Sequence, residues 1–247
     1  RAKAYQQHVT QTYTTAAYAN RLDNLLRQIV PAVNDNSTVT LRPATIADIE
    51  AVSRVHLAAF RGFFLSRMGK AFLREYYRTI IDYPRGVALV AVSEQQGIVG
   101  FATGFADPPT FYDRLRRRRF ALAIAALPAL LRAPWLLSKL KANRRRVIDN
   151  ASSEVASQVC ELSSLAVLPQ WRGRHLGRGL VAEFLHRARQ TGVQTVSLTT
   201  DAENNEATNQ FYHSLGFQLA AAEQAYGTRT LNRYVYPPAT SKVKAAA

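Results

Sequence analysis

The stretch that decides the fold is Pro169-Gln170-Trp171-Arg172-Gly173-Arg174-His175-Leu176-Gly177-Arg178-Gly179-Leu180, a turn rich in glycine and arginine. Its three glycines remove side chains that would keep an anion away from the backbone. If a helix follows the turn, its first N–H groups lack intrahelical partners and its dipole presents a positive end. The stretch therefore predicts a site for a phosphate or a diphosphate, although turns of this composition also occur as ordinary surface loops.

The sequence around this turn predicts a strand before it and a helix after it. Residues 159–167 are rich in β-branched and aliphatic side chains and have the length of a strand. After the turn, apolar residues recur at helical spacing from Leu180 to Ala188, and Gly192 follows as a stop. No Gly-Lys-Ser or Gly-Lys-Thr follows the glycines, and no acidic residue completes a dinucleotide-binding fingerprint. NTPase and NAD-binding interpretations are therefore weakened.

Two motifs, in the right order, resemble those of the GNAT family of acetyl-CoA-dependent N-acetyltransferases. The segment Arg174-His175-Leu176-Gly177-Arg178-Gly179 is similar to the family's Arg/Gln-x-x-Gly-x-Gly/Ala signature, which grips the pyrophosphate of coenzyme A. Residues 205–217 resemble its Asn-x-x-Ala-x-x-x-Tyr-x-x-x-Gly-Phe element, with Thr208 in place of the usual alanine. A strand-like segment at residues 193–199 separates the two motifs. The resemblance is clear over residues 159–236 and weaker back to Thr38.

The resemblance implies a mixed α/β (α+β) fold in which a mostly antiparallel central sheet is flanked by helices. Thr45 and Asp48 are typical of a capping box that opens a helix, and residues 69–81 predict a second helix. Short strands are predicted at residues 39–43, 87–92 and 98–104, the last two as a hairpin. We divide the chain into a helical arm and linker at residues 1–37, a GNAT-like domain at residues 38–238 with a basic helical insertion at residues 107–150, and a disordered tail at residues 239–247.

The resemblance also implies roles for individual side chains. The family's tyrosine falls on Tyr212, which would be a general acid toward the leaving thiolate; the alternative is a helix tyrosine packed against Phe217. Glu161 is the candidate base for the amine, but it could equally pair with one of the many arginines. Asn205 is either a cofactor or active-site contact or a helix N-cap. The residues implied to bind acetyl-CoA are Leu165, Ala166 and Val167 through their backbone, with Arg172, Gly173, Arg174, His175, Leu176, Gly177, Arg178, Gly179, Asn205 and Tyr212.

Composition argues against several other classes of protein. The 247 residues are 47% hydrophobic, enough for one catalytic domain with additions. A single cysteine, Cys160, excludes an internal disulfide framework and is expected to be a small buried hydrophobe. The scattered histidines show no metal-ligand spacing, so no metal is expected. No apolar run reaches the ~20 residues that a bilayer span needs, and no secretory signal opens the sequence. We therefore expect a cytoplasmic protein.

The insertion carries most of the positive charge. Residues 111–150 contain 11 Lys and Arg against 2 Asp and Glu, a balance of +9 within the +15 of the whole chain. Pro128 and Pro134 are expected to break any long helix, which favours a helical hairpin or an in-plane element. Three interpretations are open, of which we rank the first highest: a helical lid with solvated arginines, attachment to an anionic membrane surface, and recognition of a nucleic acid or an anionic substrate.

Together these observations predict an acyl-CoA-dependent N-acyltransferase that moves an acetyl group from acetyl-CoA to a primary amine by direct attack in a ternary complex. Residues 56–66 resemble GNAT proteins found among bacterial polysaccharide-biosynthesis enzymes, which suggests an amino sugar, nucleotide- or lipid-linked, as acceptor. The net charge of +15 favours acidic or phosphorylated acceptors over polyamines. The alternative is a non-catalytic acyl-CoA-binding or membrane-associated module, peripheral at the inner face of the membrane. Nucleic acid is a weaker candidate partner, and the sequence does not set the oligomeric state.

Overall fold

The computed structural model describes residues 38–136, 158–224 and 229–236. The predicted arm and linker at residues 1–37, the tail at residues 239–247 and the last part of the insertion, from residue 137, lie outside these ranges. Within them the chain forms one seven-stranded sheet with helices packed against it, which confirms the predicted fold class.

Strands and helices follow one another along the described chain. The strands are β1 (Val39–Pro43), β2 (Gly86–Ser93), β3 (Gly97–Ala106), β4 (Val159–Val167), β5 (Thr195–Asp201), β6 (Gln218–Gln224) and β7 (Thr230–Tyr236). The α-helices are α1 (Ile49–Ala59), α2 (Phe64–Arg67), α3 (Lys70–Ile81), α4 (Pro108–Arg117), α5 (Arg119–Arg132), α6 (Leu176–Gln190) and α7 (Glu206–Ser214). The strand predicted at residues 193–199 begins two residues later, because Gly192 turns the chain with φ 83° and Val193 is used as a buried loop residue.

The sheet opens between its two central strands. The strand order is β1-β2-β3-β4-β5-β7-β6, and each neighbouring pair is antiparallel except β4 and β5, which are parallel and connected through α6. These two strands pair over three residues of each, from Val159 opposite Thr195 to Glu161 opposite Ser197. Beyond that point β4 continues against β3 while β5 continues against β7, which leaves a gap in the middle of the sheet.

A β-bulge lies in β4 beside this gap. Thr103 of β3 pairs with Ser164 and the next residue, Gly104, pairs with Leu162, so Ser163 is the extra residue. A side chain at Gly104 would collide with the carbonyl oxygen of Glu161 and lie 2.6 Å from the ring of Phe184, so the close approach of the strands requires glycine. The bulge reverses the alternation of side chains along β4. Cys160 and Leu162, which precede it, join one core, whereas Ala166, which follows it, contributes to the other.

The sheet separates two hydrophobic cores. The first contains the apolar side of α6, on which Leu180, Val181, Phe184, Leu185 and Ala188 are buried as their helical spacing predicted. The second lies under α1, α3 and the insertion and is rich in aromatic rings, including Tyr77, Phe101, Phe105 and Phe111. Phe111 of α4 stacks on Phe105 of β3 with ring centroids 3.7 Å apart, which anchors the insertion to the sheet.

The described part of the insertion consists of two consecutive helices, α4 and α5. The expectation that Pro128 breaks a long helix is wrong, because α5 continues through Pro128 for four more residues. Proline removes the hydrogen bond to the carbonyl of Ile124, and both residues are exposed, so water can satisfy that carbonyl. Pro134 does lie beyond the end of the helix. No helix in the described ranges is both long and apolar enough to cross a bilayer.

Candidate active site

The gap between β4 and β5 exposes a strand edge. Leu165, Ala166 and Val167 pair with Ala102, Phe101 and Gly100 of β3 on one side. On the side of the gap, no strand among the described residues pairs with them. An extended ligand can therefore add to this edge as a strand would, which is the contact predicted for the pantetheine arm.

The glycine- and arginine-rich turn forms a cluster of backbone N–H groups at the end of β4. The backbone is left-handed at Gly173 (φ 78°) and at His175 (φ 58°), and α6 begins at Leu176. Within the described chain, no N–H of residues 173–178 donates to a backbone carbonyl, and Gly179 is the first to do so, 3.1 Å from the oxygen of His175. This arrangement supplies the donors and the positive helix end that a diphosphate requires.

The cationic side chains of the turn differ in their surroundings. Arg172, Arg174 and His175 are exposed, and the guanidinium of Arg174 lies 4.8 Å from the ring centroid of Trp171. Trp171 is buried and donates its ring N–H to the side-chain oxygen of Gln96 at 2.9 Å, so it holds the first part of the turn in place. Arg178 instead donates to the hydroxyl of Ser214 at 2.8 Å, which ties the start of α6 to α7.

Tyr212 is buried on α7, directly beside the turn. Its side chain is 8% exposed and packs against Phe217 and Tyr234 with ring centroids 5.6 and 6.3 Å away. Burial raises the pKa of the Tyr212 hydroxyl well above its usual value, so it is protonated at neutral pH. The neighbouring Phe211 ring lies 3.4 Å from where a Cβ on Gly177 would be, so α7 and the turn are in close contact. The predicted packing against Phe217 is present, and it is compatible with a chemical role.

Asn205 joins the end of β5 to the start of α7. It occupies the N-cap position of the helix, but its side chain makes no capping bond. Its amide nitrogen donates instead to the hydroxyl of Thr200 at 2.6 Å and to the carbonyl oxygen of Asp201 at 3.1 Å. Asn205 is therefore the N-cap residue of α7 by position, as the second alternative had it, while its side chain binds the end of β5 and not the helix N–H groups.

Glu161 stands where β4 and β5 part, and its carboxylate meets the insertion. It is the last β4 residue that pairs with β5. The hydroxyl of Tyr112, on α4, lies 3.2 Å from each carboxylate oxygen. Close by along β4, the hydroxyl of Tyr76 lies 2.5 Å from that of Ser163, the bulged residue. Sequence reasoning missed Tyr112 and Tyr76, because they are distant from Glu161 in the chain and no motif contains them.

The candidate acid and the candidate base belong to opposite sides of the sheet. Tyr212 is part of the core that α6 covers. Tyr112 and Tyr76, which surround Glu161 and the bulge, belong to the core under α1, α3 and the insertion. A molecule held by the turn and a molecule held near Glu161 would therefore approach the gap from opposite faces.

Other potentially reactive groups are buried. Cys160 is fully buried as predicted, and burial raises the pKa of its thiol well above the usual range, so it is a poor nucleophile. His56 is buried beside Tyr77, with its Nδ1 atom 2.6 Å from the tyrosine hydroxyl, and burial lowers its pKa to about 4. In the ranges that the structure describes, no group of three or more His, Cys, Asp or Glu side chains is arranged to hold a metal ion.

Comparison with solved structures identifies the same fold in several acetyltransferases. The ribosomal-protein-S18-alanine N-acetyltransferase of Escherichia coli has a TM-score of 0.50 at 15% identity, over 80% of this chain and 92% of that one. An acetyltransferase of the GNAT family from Streptococcus pneumoniae has a TM-score of 0.51 at 14% identity, over 80% of this chain and 98% of that one. At such identities the likeness establishes the fold alone.

Comparison by sequence gives two curated relatives and one family. The mycothiol acetyltransferase of Thermobifida fusca is 39% identical over 79 residues, which are 32% of this chain and 24% of the relative. That of Nocardiopsis dassonvillei is 30% identical over 151 residues, 56% of this chain and 43% of the relative, so the chain spans less than half the length of either. The model of the acetyltransferase (GNAT) family matches residues 55–217, which contain the gap, the turn, Glu161 and Tyr212. The chain therefore belongs to the GNAT family of acetyltransferases.

Proposed function

We propose that this protein is an N-acetyltransferase that moves an acetyl group from acetyl-CoA to a primary amine of a small molecule. The observation that carries the proposal is the gap between β4 and β5, which opens directly beside the glycine- and arginine-rich turn. A strand edge and an anion site in this order match the two parts of acetyl-CoA, an extended pantetheine arm and a diphosphate.

The donor side of the site is built from the turn and the β4 edge. The N–H groups of residues 173–178 would hold the diphosphate, and Arg172, Arg174 and Arg178 would neutralise its charge. The backbone of Leu165, Ala166 and Val167 would pair with the pantetheine arm. In this pose the N–H of Val167 or its neighbour would polarise the acetyl carbonyl, whose oxygen gains negative charge in the transition state.

Two side chains would move the protons of the reaction. Glu161 accepts the proton that the amine loses when its nitrogen bonds to the acetyl carbon, either directly or through a water molecule. Tyr212 donates a proton to the sulfur when the carbon–sulfur bond breaks, and its raised pKa keeps that proton in place beforehand. The products are an acetamide and a free thiol. Glu161 then releases its proton to solvent and the Tyr212 phenolate takes one up, which restores both side chains for the next turnover.

The acceptor side lies around Glu161, under the insertion. Tyr112 contacts the carboxylate and Tyr76 contacts the bulge, so the two phenol rings line the approach to the base. We propose an amino sugar, nucleotide- or lipid-linked, as the first acceptor class to test. The second is an amine of the mycothiol type, because both curated relatives are named mycothiol acetyltransferase.

The test is acetyl transfer from acetyl-CoA to a panel of amines, followed by release of free thiol, with Tyr212→Phe as the critical variant. We expect the variant to keep its affinity for acetyl-CoA and to lose kcat by roughly 10²-fold or more. Tyr83→Phe is the matched control, since Tyr83 is also buried and its hydroxyl has no hydrogen-bond partner among the described residues. Equal loss in both variants would assign Tyr212 to packing.

Glu161→Gln tests the base in the same assay. It removes the proton acceptor but keeps the shape of the side chain, so kcat should again fall by roughly 10²-fold while acetyl-CoA still binds. Tight binding of acetyl-CoA with no transfer to any amine of the panel, in the parent protein, would instead support the non-catalytic acyl-CoA-binding alternative.

A further inference from the structure

Helix α5 exposes a continuous apolar stripe to solvent. The stripe consists of Phe120, Ile124, Leu127 and Leu131, which are 70%, 73%, 52% and 74% exposed. Their spacing of four, three and four residues confines them to an arc of about 60° on the helix. Ala126, which is buried against the second core, lies on the opposite side of the helix. Large apolar side chains that are aligned and uncovered mark an interaction surface rather than random exposure.

Arginines flank the stripe on both sides. Arg119 and Arg132 stand at the two ends of α5, roughly 110° from the stripe in opposite directions, and Arg117 ends α4. All three are exposed, and none forms an ion pair with a carboxylate within the described residues. The neighbouring Arg116 and Arg118 do form such pairs, with Asp113 and Asp82. The unpaired charge therefore lies beside the apolar stripe.

A pocket with a cationic lining borders the C-terminal end of the stripe. This cavity of about 360 Å³ lies between the start of α3 and the end of α5, and its lining includes Arg67, Arg132 and Trp135. Arg67 lies 5.1 Å over the ring of Trp135, which is itself partly exposed. No residue of the gap between β4 and β5 lines this pocket, so it is separate from the acetyl-transfer site.

We propose that α5 is a docking surface for an anionic lipid bilayer. The stripe enters the boundary between headgroups and acyl chains while Arg117, Arg119 and Arg132 contact lipid phosphates, and the helix lies in the plane of the membrane. The arginines beside the stripe favour an anionic bilayer over a purely apolar partner, because a purely apolar partner would leave these three positive charges without counter-charges. The docking does not depend on the proposed acetyl transfer, since the stripe and the gap use different residues.

The experiment is co-sedimentation of the full chain with vesicles of phosphatidylcholine, with and without phosphatidylglycerol. We expect binding to the anionic vesicles, weakening as salt rises, with no requirement for acetyl-CoA. Leu131→Asp should weaken this binding roughly tenfold to a hundredfold, because it removes one large apolar side chain that would be buried in the bilayer. Leu219→Asp is the matched control. Leu219 is 55% exposed on β6, an edge strand of the sheet that is not part of the proposed docking surface, so its replacement should leave vesicle binding unchanged.

Two charge-reversal variants test the role of the arginines beside the stripe. Arg119→Glu should weaken vesicle binding roughly tenfold or more, whereas Arg54→Glu, the same change on an exposed residue of α1, should have little effect. Circular dichroism of each variant shows whether the fold is kept, and the exposure of all four positions makes loss of folding unexpected.

Three results would overturn the proposal. The first is failure of the parent protein to bind anionic vesicles. The second is self-association in sedimentation velocity that Leu131→Asp abolishes, which would assign the stripe to a second copy of this chain. The third is binding to RNA or DNA that competes with the vesicles and is insensitive to Leu131→Asp, which would assign the basic surface to nucleic acid.

Discussion

At the scale of single residues, Tyr112 links the insertion to the candidate base. Its hydroxyl lies 3.2 Å from both oxygens of Glu161, and a hydrogen bond to the ionised carboxylate favours that form. We expect Tyr112→Phe to lower kcat about tenfold and to move the acidic limb of the pH–rate profile to higher pH. The measurement is kcat against pH for both proteins. An unchanged profile with a raised KM would assign Tyr112 to acceptor binding instead.

A second residue, Asp48, lies directly before α1 and makes the free energy of unfolding depend on pH. Arg42 donates to both carboxylate oxygens at 2.7 and 2.8 Å, and Thr45 donates its N–H at 2.8 Å. The hydrogen bonds from Arg42 lower the pKa of Asp48 from 3.8 to about 2. Because the folded-state pKa lies below the unfolded one, this stabilisation is present above about pH 4 and is lost as pH falls toward 2.

Asp48→Asn should therefore lower the free energy of unfolding at pH 7 by about 1–2 kcal/mol and flatten its decline between pH 4 and pH 2. Urea unfolding at several pH values measures both. Glu50→Gln is the control, since Glu50 pairs with Lys70 at the surface, where solvent screens the pair and it contributes little to stability. An equal effect of the two substitutions would contradict the role of burial at Asp48.

At the scale of elements, α5 contains a proline in its interior. Pro128 removes one hydrogen bond of the helix, and its exposure means that alanine can replace it without disturbing the core. We expect Pro128→Ala to raise the free energy of unfolding by about 1 kcal/mol and Tm by roughly 2–4 °C. Pro134→Ala, beyond the end of the helix, should change Tm little. A fall in Tm for Pro128→Ala, measured by calorimetry, would show that the proline fits the helix without strain.

At the scale of the whole molecule, the gap divides the sheet into two parts. Strands β1 to β4 form one part and β5 to β7 the other, with three paired residues joining them. Acetyl-CoA bound in the gap would contact both, so we expect it to raise Tm by roughly 5–10 °C at a hundredfold excess over Kd. Backbone amides of residues 165–167 should exchange hydrogen more slowly in the complex. Thermal shift and hydrogen exchange measure the two effects.

Gly177→Glu is the variant that tests where the cofactor binds. A carboxylate in the turn would repel the diphosphate, so the rise in Tm should disappear while the Tm of the free protein stays near that of the parent. Gly177→Ala is the control, because it removes the glycine without adding a charge. Its Cβ would lie 3.4 Å from Phe211, which is an ordinary contact. Stabilisation that survives Gly177→Glu would place the diphosphate elsewhere.

The sequence by itself determined the secondary structure around the turn and the identity of the fold. Local patterns suffice for this, because glycine at Gly173 sets a left-handed backbone and the apolar spacing after Leu180 sets the buried side of a helix. The same patterns failed at Pro128, since whether a proline ends a helix depends on which side of the helix meets water. Tyr212 and Glu161 could be named as candidates from the chain alone, but nothing in it placed them on opposite sides of the sheet.

Only the tertiary structure decided the features that depend on residues far apart in the chain. The bulge at Ser163, the parting of β4 from β5 and the approach of Tyr112 to Glu161 each arise from packing between elements. Likewise, the sequence predicted only that the insertion is helical, whereas packing decided that Ala126 is buried and Leu131 is exposed. The physical reason is that a side chain's type fixes what it can bind, and the fold fixes what lies within reach.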